Sequence, residues 1–160
     1  MTPEEFSHYA RQFGDTVYRV ALNACKSPAD AEDLTQTVLL KLYQDKTDFE
    51  GPEHVRRWLI RVAVNQSRKL IRSPWFRRRA PLEAWSGTAE LPAPEESRLF
   101  LAVMALPEKY RVPLYLYYYE DYPVREVAAL CGLKESTVQT RLQRAREKLK
   151  QTLTTQEEDS

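Results

Sequence analysis

Apolar residues recur at three- and four-residue steps along most of the chain, and this is the period of amphipathic helices. One such segment covers about residues 1–25, a second follows Ser27, and a third spans residues 53–71. Ser27 is a favourable N-cap, and Pro28 stands where a first helical residue tolerates a missing N–H. No segment alternates apolar and polar residues for long enough to indicate a sheet. The pattern therefore predicts helices.

The helical period is lost between residues 74 and 96, where four prolines and a glycine occur. Such a composition is typical of a linker. The period returns near Arg98 and predicts helices up to about residue 119, over 124–131 and over 135–152. The sequence thus predicts an all-α protein of two small helical domains, residues 1–73 and 97–152, joined by a flexible linker at 74–96 and followed by a disordered tail at 153–160.

Composition limits the classes of protein to which the chain can belong. A chain of 160 residues cannot bury a large core in either of two domains, which disfavours a deep-pocketed enzyme. No apolar run approaches the roughly 18 residues needed to cross a bilayer, and the acidic N-terminus is unlike a signal peptide, so we expect no membrane insertion and a cytoplasmic location. Cys25 and Cys131 lie in apolar-periodic contexts and are predicted to be reduced core residues. We expect no cofactor and no metal site.

Charge is strongly segregated although the formal net charge is only +1. Residues 54–81 hold nine basic and no acidic side chains, and residues 134–150 hold six basic and two acidic ones. Residues 1–53 hold ten acidic and five basic side chains. Two basic blocks separated by acidic ones predict two places where a polyanion could be bound.

The third predicted helix carries the first basic block on one face. At about 100° per residue, its polar stripe is roughly 80° wide. Because like charges at i,i+4 repel, and on the helical wheel these arginines neighbour only one another, we expect an external anion rather than a solvated face. Guanidinium groups match phosphate geometry, and aromatic rings can stack on unpaired bases. The stripe contains Arg57, Arg61, Asn65, Arg68 and Arg72, with Trp58 at its edge as either a stacking platform or core filler.

The second basic block lies in "VREVAALCGLKESTVQTRLQRAREKL", which has the spacing of a helix-turn-helix. Gly132 permits the tight turn, and Ala128 lets the two helices approach. A bare helical hairpin is the alternative. Hydroxyl, amide and guanidinium side chains on the second helix are of the types that contact base edges and phosphates in a major groove. The candidates are Ser136, Thr137, Gln139, Thr140, Arg141, Gln143 and Arg144.

The order of motifs resembles an extracytoplasmic-function (ECF) sigma factor of bacterial RNA polymerase, in the sigma-70 family. The resemblance covers about residues 5–150 and rests on "DAEDLTQTVLLKLY", "WLIRVAVNQSRKLIR", "LPEKYR" and the helix-turn-helix, in that order. It implies that the first domain, sigma region 2, binds core polymerase and the -10 promoter element. It implies that the second domain, sigma region 4, binds the -35 element, and that the chain is not an enzyme.

The resemblance also implies roles for individual residues. Asp30, Asp33 and Gln36, on the exposed face of the acidic helix, would meet the β′ clamp helices of the polymerase. Family members commonly have an acid four residues after Asn65, whereas this chain has Lys69, which adds charge toward DNA. The residues implied in binding and melting the -10 element are Phe49, Trp58, Arg61, Asn65, Arg68, Lys69 and Arg72.

The partners implied by the resemblance are core RNA polymerase, through its β′ clamp helices and β flap, promoter DNA, and an anti-sigma factor. Regulation would then follow a stress signal that releases the anti-sigma factor. The linker would thread into the core enzyme, although disorder in solution accounts equally well for its composition.

Two other classes of function are open to the sequence. A helix-turn-helix repressor or activator that acts without polymerase would share the second domain. A metal-dependent nuclease would have to use Asp30, Glu32 and Asp33, while His8 and His54 lack companions at catalytic or metal-ligand spacing.

Overall fold

The computed structural model describes residues 1–79 and 94–158, and every regular element in these two ranges is a helix. The described residues fall into two compact units, one on each side of residues 80–93. The predicted all-α fold of two small helical domains is thereby confirmed. In chain order the helices are α1 (Pro3–Cys25), α2 (Pro28–Gln44), α3 (Pro52–Ile71), α4 (Pro74–Arg79), α5 (Pro94–Met104), α6 (Glu108–Tyr118), α7 (Val124–Cys131) and α8 (Glu135–Glu158).

The first unit is built around a core shared by three helices. α1 packs against α2 and α3, and α2 packs against α3. Val17 of α1, Val38 of α2 and Leu59 of α3 are all completely buried. Burying each such side chain contributes about 1.5–3 kcal/mol. The apolar period thus fixes which face of α3 lies inside, and so which face is left for other molecules.

The starts of α1 and α2 are set by side-chain caps. The Thr2 hydroxyl accepts a hydrogen bond from the Glu5 N–H at 3.1 Å, and the Glu5 carboxylate accepts one from the Thr2 N–H at 3.2 Å. The predicted cap at Ser27 is confirmed, since its hydroxyl accepts from the Asp30 N–H at 3.3 Å. Each cap satisfies a donor that the first helical turn leaves unpaired.

Residues 74–79, which the sequence places in the linker, form the short helix α4. Ser73 begins it: the Ser73 hydroxyl accepts from the Phe76 N–H at 3.2 Å and donates to the Leu70 carbonyl at 2.6 Å. Pro74 occupies the first helical position, where its ring is tolerated. Six residues are too few to show a helical period, so the sequence pattern gave no sign of this helix. Residues 80–93, the rest of the predicted linker before α5, lie outside the described part of the chain.

The second unit packs α5, α6 and α7 against α8. The predicted turn of the helix-turn-helix is present: Gly132 adopts a left-handed conformation (φ 65°) after the last residue of α7. The Leu133 N–H then donates to the Ala128 carbonyl at 2.9 Å and closes the end of α7. Val138 and Leu142 of α8 are buried at 0% and 2% exposure, as the apolar pattern predicts.

The end of α8 differs from the sequence prediction. Residues 153–158, predicted to lie in a disordered tail, continue the helix, and residues 159–160 lie outside the described part of the chain. The segment contains neither proline nor glycine to stop the helix. Cys25 and Cys131 are both buried, as predicted, and neither forms a disulfide among the residues that the structure describes.

A search of residues 1–79 and 94–158 for a helix long and apolar enough to span a membrane finds none.

Candidate functional site

The C-terminal half of α3 and the turn after it form an open pocket of about 440 Å³. The pocket brings four of the predicted -10 residues together, and Ser73 is added by the structure. Three of its five lining side chains are cations, and the other two carry an amide or a hydroxyl that can donate hydrogen bonds. This cationic pocket is lined by Asn65, Arg68, Lys69, Arg72 and Ser73.

Four cations of α3 and its C-cap lack a counter-charge in the part of the chain that the structure describes. Within the described residues, Arg61, Arg68, Lys69 and Arg72 form no ion pair with a carboxylate. Like charges at this spacing repel by a few tenths of a kcal/mol per pair. A bound polyanion would remove that cost and gain charge-assisted hydrogen bonds.

One arginine of the predicted stripe, Arg57, does have a carboxylate partner. Arg57 pairs with Glu53 at 3.2 Å, and Arg56 pairs with the same carboxylate at 3.3 Å. The prediction that the stripe arginines neighbour only one another is therefore wrong for Arg57. Its partner lies one turn earlier on the same helix, a spacing at which opposite charges meet. The uncompensated surface begins at Arg61.

An aromatic cluster supports the loop before α3. The Phe49 ring meets the rings of His54 and Trp58 edge-to-face, with centroids 5.0 and 5.9 Å apart. Trp58 is half-buried, so its ring is neither filler in the core nor fully free. The Glu50 N–H donates to His54 Nδ1 at 3.0 Å and ties the loop to the helix. The predicted melting residues Phe49 and Trp58 thus lie in one cluster at the first turns of α3.

The same loop is shaped by a small turn and by a glycine. The Asp45 carboxyl accepts hydrogen bonds from the Thr47 side chain and from the Thr47 N–H, the second at 2.8 Å. Both hydrogen bonds hold the pKa of Asp45 below its ordinary value. Gly51 has φ 152°, a backbone conformation that side-chain-bearing residues rarely adopt. The chain can therefore turn directly from the loop into Pro52 at the start of α3.

The outward face of α2 carries the predicted polymerase contacts, with one exception. Asp33 and Gln36 are exposed and lie three residues apart, hence on one face. Asp30 is only 6% exposed, so the prediction that it lies on the exposed face is wrong. This face continues in apolar side chains that the predicted contact does not include, since Leu40 is 56% and Tyr43 43% exposed. Their spacing of four and seven residues from Gln36 was the signal available for them.

Asp30 is buried because Arg79 of α4 covers it. The Arg79 guanidinium forms an ion pair with the Asp30 carboxylate and also stacks on the Trp75 ring, 3.9 Å from its centroid. Paired burial offsets the cost of taking each charge out of water. This ion pair ties the start of α2 to α4 across 49 positions of sequence.

The outward face of α8 places most of the predicted -35 residues in solvent. Arg144 is exposed and makes no ion pair within the described residues. Thr140 donates to the Ser136 carbonyl at 3.0 Å, and the Gln143 amide donates to Glu147 at 3.4 Å. The exposed candidates are Ser136, Gln139, Thr140, Gln143 and Arg144, while Thr137 and Arg141 are half-buried.

Two other arginines of α8 are directed to α6. The Arg141 guanidinium donates to the Lys109 carbonyl at 3.5 Å. That carbonyl lacks its usual helical partner, because Pro113 stands four residues later and has no N–H. The Arg146 guanidinium donates to the Tyr118 hydroxyl at 2.7 Å, and this hydrogen bond raises the pKa of Arg146. Arg144, which lies between them in sequence, is exposed and makes no hydrogen bond to α6 in the described part of the chain.

The described residues contain no group of three or more His, Cys, Asp or Glu side chains arranged to hold a metal ion.

Comparisons with known proteins match both units. Residues 9–77 match the family described as Sigma-70 region 2, and residues 97–149 match Sigma-70, region 4. The ECF RNA polymerase sigma factor SigL of Mycobacterium tuberculosis is 31% identical, over 86% of this chain and 82% of that protein. The chain belongs to the ECF family of sigma-70 RNA polymerase sigma factors.

Other relatives are longer than this chain. The ECF RNA polymerase sigma factor SigE of Mycolicibacterium smegmatis is 30% identical over 88% of this chain. The probable RNA polymerase sigma factor RfaY of Xanthomonas campestris is 33% identical over 82% of it. The match spans only 58% of the length of SigE and 36% of that of RfaY.

Two solved structures share the fold. The sigma factor RpoE, solved in complex with the anti-sigma factor NepR from Bartonella quintana, has a TM-score of 0.75 at 20% identity, covering 94% of this chain and 98% of that one. CnrH, solved in complex with the cytosolic domain of CnrY, has a TM-score of 0.68 at 26% identity, covering 96% and 90%.

Proposed function

We propose that this chain binds core RNA polymerase and directs it to promoters, recognising a -10 and a -35 element and helping to open the duplex. The observation that carries the proposal is the cationic pocket, in which three cations that have no carboxylate partner among the described residues surround one open space. A sigma factor does no bond chemistry itself and works in the cytoplasm, where the polymerase is.

In this proposal the two units bind different parts of the promoter. Residues 1–73 bind core polymerase and the -10 element, residues 74–96 connect the units, and residues 97–152 bind the -35 element. Strand opening is driven by capture of unstacked bases, which offsets an unstacking cost of a few kcal/mol. Arg61, Asn65 and the pocket cations hold the separated strand, and the ring cluster of Phe49 and Trp58 supports it.

The polymerase contact is the exposed face of α2. Asp33 and Gln36 meet the β′ clamp helices, and Leu40 and Tyr43 extend the contact with apolar surface, since a mixed acidic and apolar face suits a protein partner with basic side chains. Asp30 takes no part, because Arg79 occupies its carboxylate. The second unit contacts the β flap.

An anti-sigma factor that covers these surfaces is the proposed regulator. CnrH, with 26% identity and a TM-score of 0.68, has been solved with the cytosolic domain of CnrY bound. The exposed apolar side chains on α2 give such a partner something to bury. Release of the partner in response to a stress signal would free the chain for polymerase.

The test is a binding titration of bacterial core RNA polymerase with the full chain. Asp33→Lys combined with Gln36→Ala should weaken association by about 30-fold or more, because a buried interfacial charge pair typically contributes about 2 kcal/mol or more. The matched control is Asp15→Lys with Gln12→Ala, which changes the same residue types at the same spacing on the exposed face of α1. Equal affinity of the two variants for core polymerase would reject the assignment.

A second readout separates this proposal from a repressor or activator that works alone. The isolated chain should show no sequence-specific duplex binding at physiological salt. Tight, specific binding without polymerase would favour the alternative.

A further inference from the structure

Uncompensated positive charge continues past the end of α3 into α4. Residues 54–79 contain nine cations and no acid. Three of the nine pair with carboxylates, namely Arg56, Arg57 and Arg79. Among the described residues the other six have no carboxylate partner, and two of those six, Arg77 and Arg78, are exposed on α4.

The helix α4 begins at the edge of the cationic pocket. Ser73 lines the pocket and its hydroxyl also caps α4 by accepting from the Phe76 N–H. Arg77 follows Ser73 by four residues, or about 6 Å along a helix axis. Successive nucleotides of one strand are about 3.4 Å apart along a duplex axis. The Arg77 backbone is therefore displaced from that of Ser73 by about the length of two nucleotide steps.

α4 is held in place by contacts that do not use its exposed cations. The Arg79 guanidinium is directed inward to Asp30 and stacks on Trp75. The Arg78 Nε donates to the Pro74 carbonyl at 3.3 Å, which steadies the side chain while the rest of its guanidinium fork is exposed. The result is an anchored helix that presents charge, with Trp75 still 53% exposed beside it.

We propose that α4 is a further DNA-binding element, in which Arg77 and Arg78 bind phosphates of the strand that enters the cationic pocket. The inference rests on the proposed function for the identity of the ligand. Charge complementarity and continuity with the pocket favour a nucleic-acid strand as the occupant over the polymerase. Phosphate contacts carry no sequence information, so α4 adds affinity and register rather than base preference.

The experiment measures fluorescence anisotropy of a fluorescein-labelled single strand of twenty thymidines with the full chain between 50 and 200 mM salt. Each phosphate contact to a single strand contributes about −0.7 to the slope of log K against log salt. Arg77→Ala with Arg78→Ala should make that slope less steep by about 1.4. Replacing both by lysine should preserve the slope.

The matched control is Arg11→Ala with Lys46→Ala, which removes the same net charge from exposed positions elsewhere in the first unit. A slope for the α4 variant equal to that of the control would overturn the inference, as would undetectable binding by the unaltered chain at 50 mM salt. Weakened polymerase association with an unchanged salt slope would instead assign α4 to the polymerase. Because the assay contains no polymerase, failure of the proposed polymerase contact leaves its outcome unaffected.

Discussion

The two candidate DNA surfaces differ in how they treat charge. On α3 and its C-cap, four cations have no carboxylate partner in the described residues, and three of them line one pocket with a single amide and a single hydroxyl. On α8, Arg141 and Arg146 are directed to α6, so Arg144 is left among hydroxyls and amides.

The cations of the first surface are suited to hold phosphates of any sequence, so we assign reading of the -10 bases to Asn65, Phe49 and Trp58 beside them. The second surface is suited to read base edges. We therefore expect the affinity of the α3 cations for DNA to depend mainly on salt concentration, and that of α8 to depend mainly on base sequence.

Removing the cations of α3 should have the largest effect. Arg61→Ala, Arg68→Ala and Arg72→Ala together should weaken binding of a labelled single strand by about 3–6 kcal/mol. Hydrogen bonds to charged groups contribute about 1.5–3 kcal/mol each, and the total is reduced because Arg61 and Arg72 are exposed to solvent. The salt slope should become less steep by about 2. Anisotropy titrations with thymidine and adenosine strands measure both.

The affinity of the triple variant should fall by the same factor for the thymidine strand and for the adenosine strand. The control is Arg11→Ala, Lys41→Ala and Lys46→Ala, three exposed cations of the same unit outside the pocket. If the pocket variant lost affinity for one base sequence only, α3 would be a base-reading surface, and the contrast with α8 would fail.

Arg144→Ala should cost about 1–3 kcal/mol in promoter binding by the holoenzyme and change the sequence preferred at one position of the upstream element. Binding to a panel of single-base variants of that element measures the effect. Lys148→Ala, also exposed on α8 about one turn further on, should weaken all variants alike. An equal loss on every sequence for Arg144→Ala would reduce its role to a phosphate contact.

The Asp30–Arg79 ion pair should couple two elements that the sequence separates. Asp30→Asn and Arg79→Met should show a coupling energy of about 1–2 kcal/mol in a double-mutant cycle of urea unfolding. This is below the range for fully buried pairs because Arg79 is partly exposed. Asp33→Asn should change stability little. Additive effects of the two substitutions would mean that the pair does not anchor α4.

Arg141→Ala should destabilise the second unit by about 0.5–1.5 kcal/mol, because the Lys109 carbonyl loses a donor that Pro113 cannot supply. Pro113→Ala returns a backbone N–H to that carbonyl. In the Pro113→Ala background the cost of Arg141→Ala in urea unfolding should therefore shrink. If Arg141→Ala lowers the free energy of unfolding by the same amount in that background, its hydrogen bond to the Lys109 carbonyl does not stabilise the second unit.

Much of the fold could be predicted from the period of apolar residues. The buried faces of α1, α2, α3 and α8 follow from local spacing, and the turn at Gly132 follows from its freedom to adopt positive φ. The polar stripe on α3 follows from the same periodicity, so three residues of the cationic pocket, Asn65, Arg68 and Arg72, could be named beforehand, whereas Lys69 was indicated only by the family resemblance.

The errors arise where a contact is not local or where the sequence was divided at the wrong residue. Asp30 and Arg79 are 49 positions apart, and no helical period links them. Glu53 was separated from its partners Arg56 and Arg57 because the basic block was counted from residue 54. Arg141 is drawn to α6 by a carbonyl that only the tertiary structure brings within reach.

The most direct test of the central claim is in vitro transcription by core RNA polymerase and this chain from a pool of randomised promoters. The account predicts transcripts that depend on the chain and come from templates enriched in two separated elements. Arg144→Ala should change only the upstream element, and the Arg61, Arg68 and Arg72 substitutions should lower the yield without changing either element. Transcripts that do not depend on the chain, or a pool with no enriched element, would contradict it.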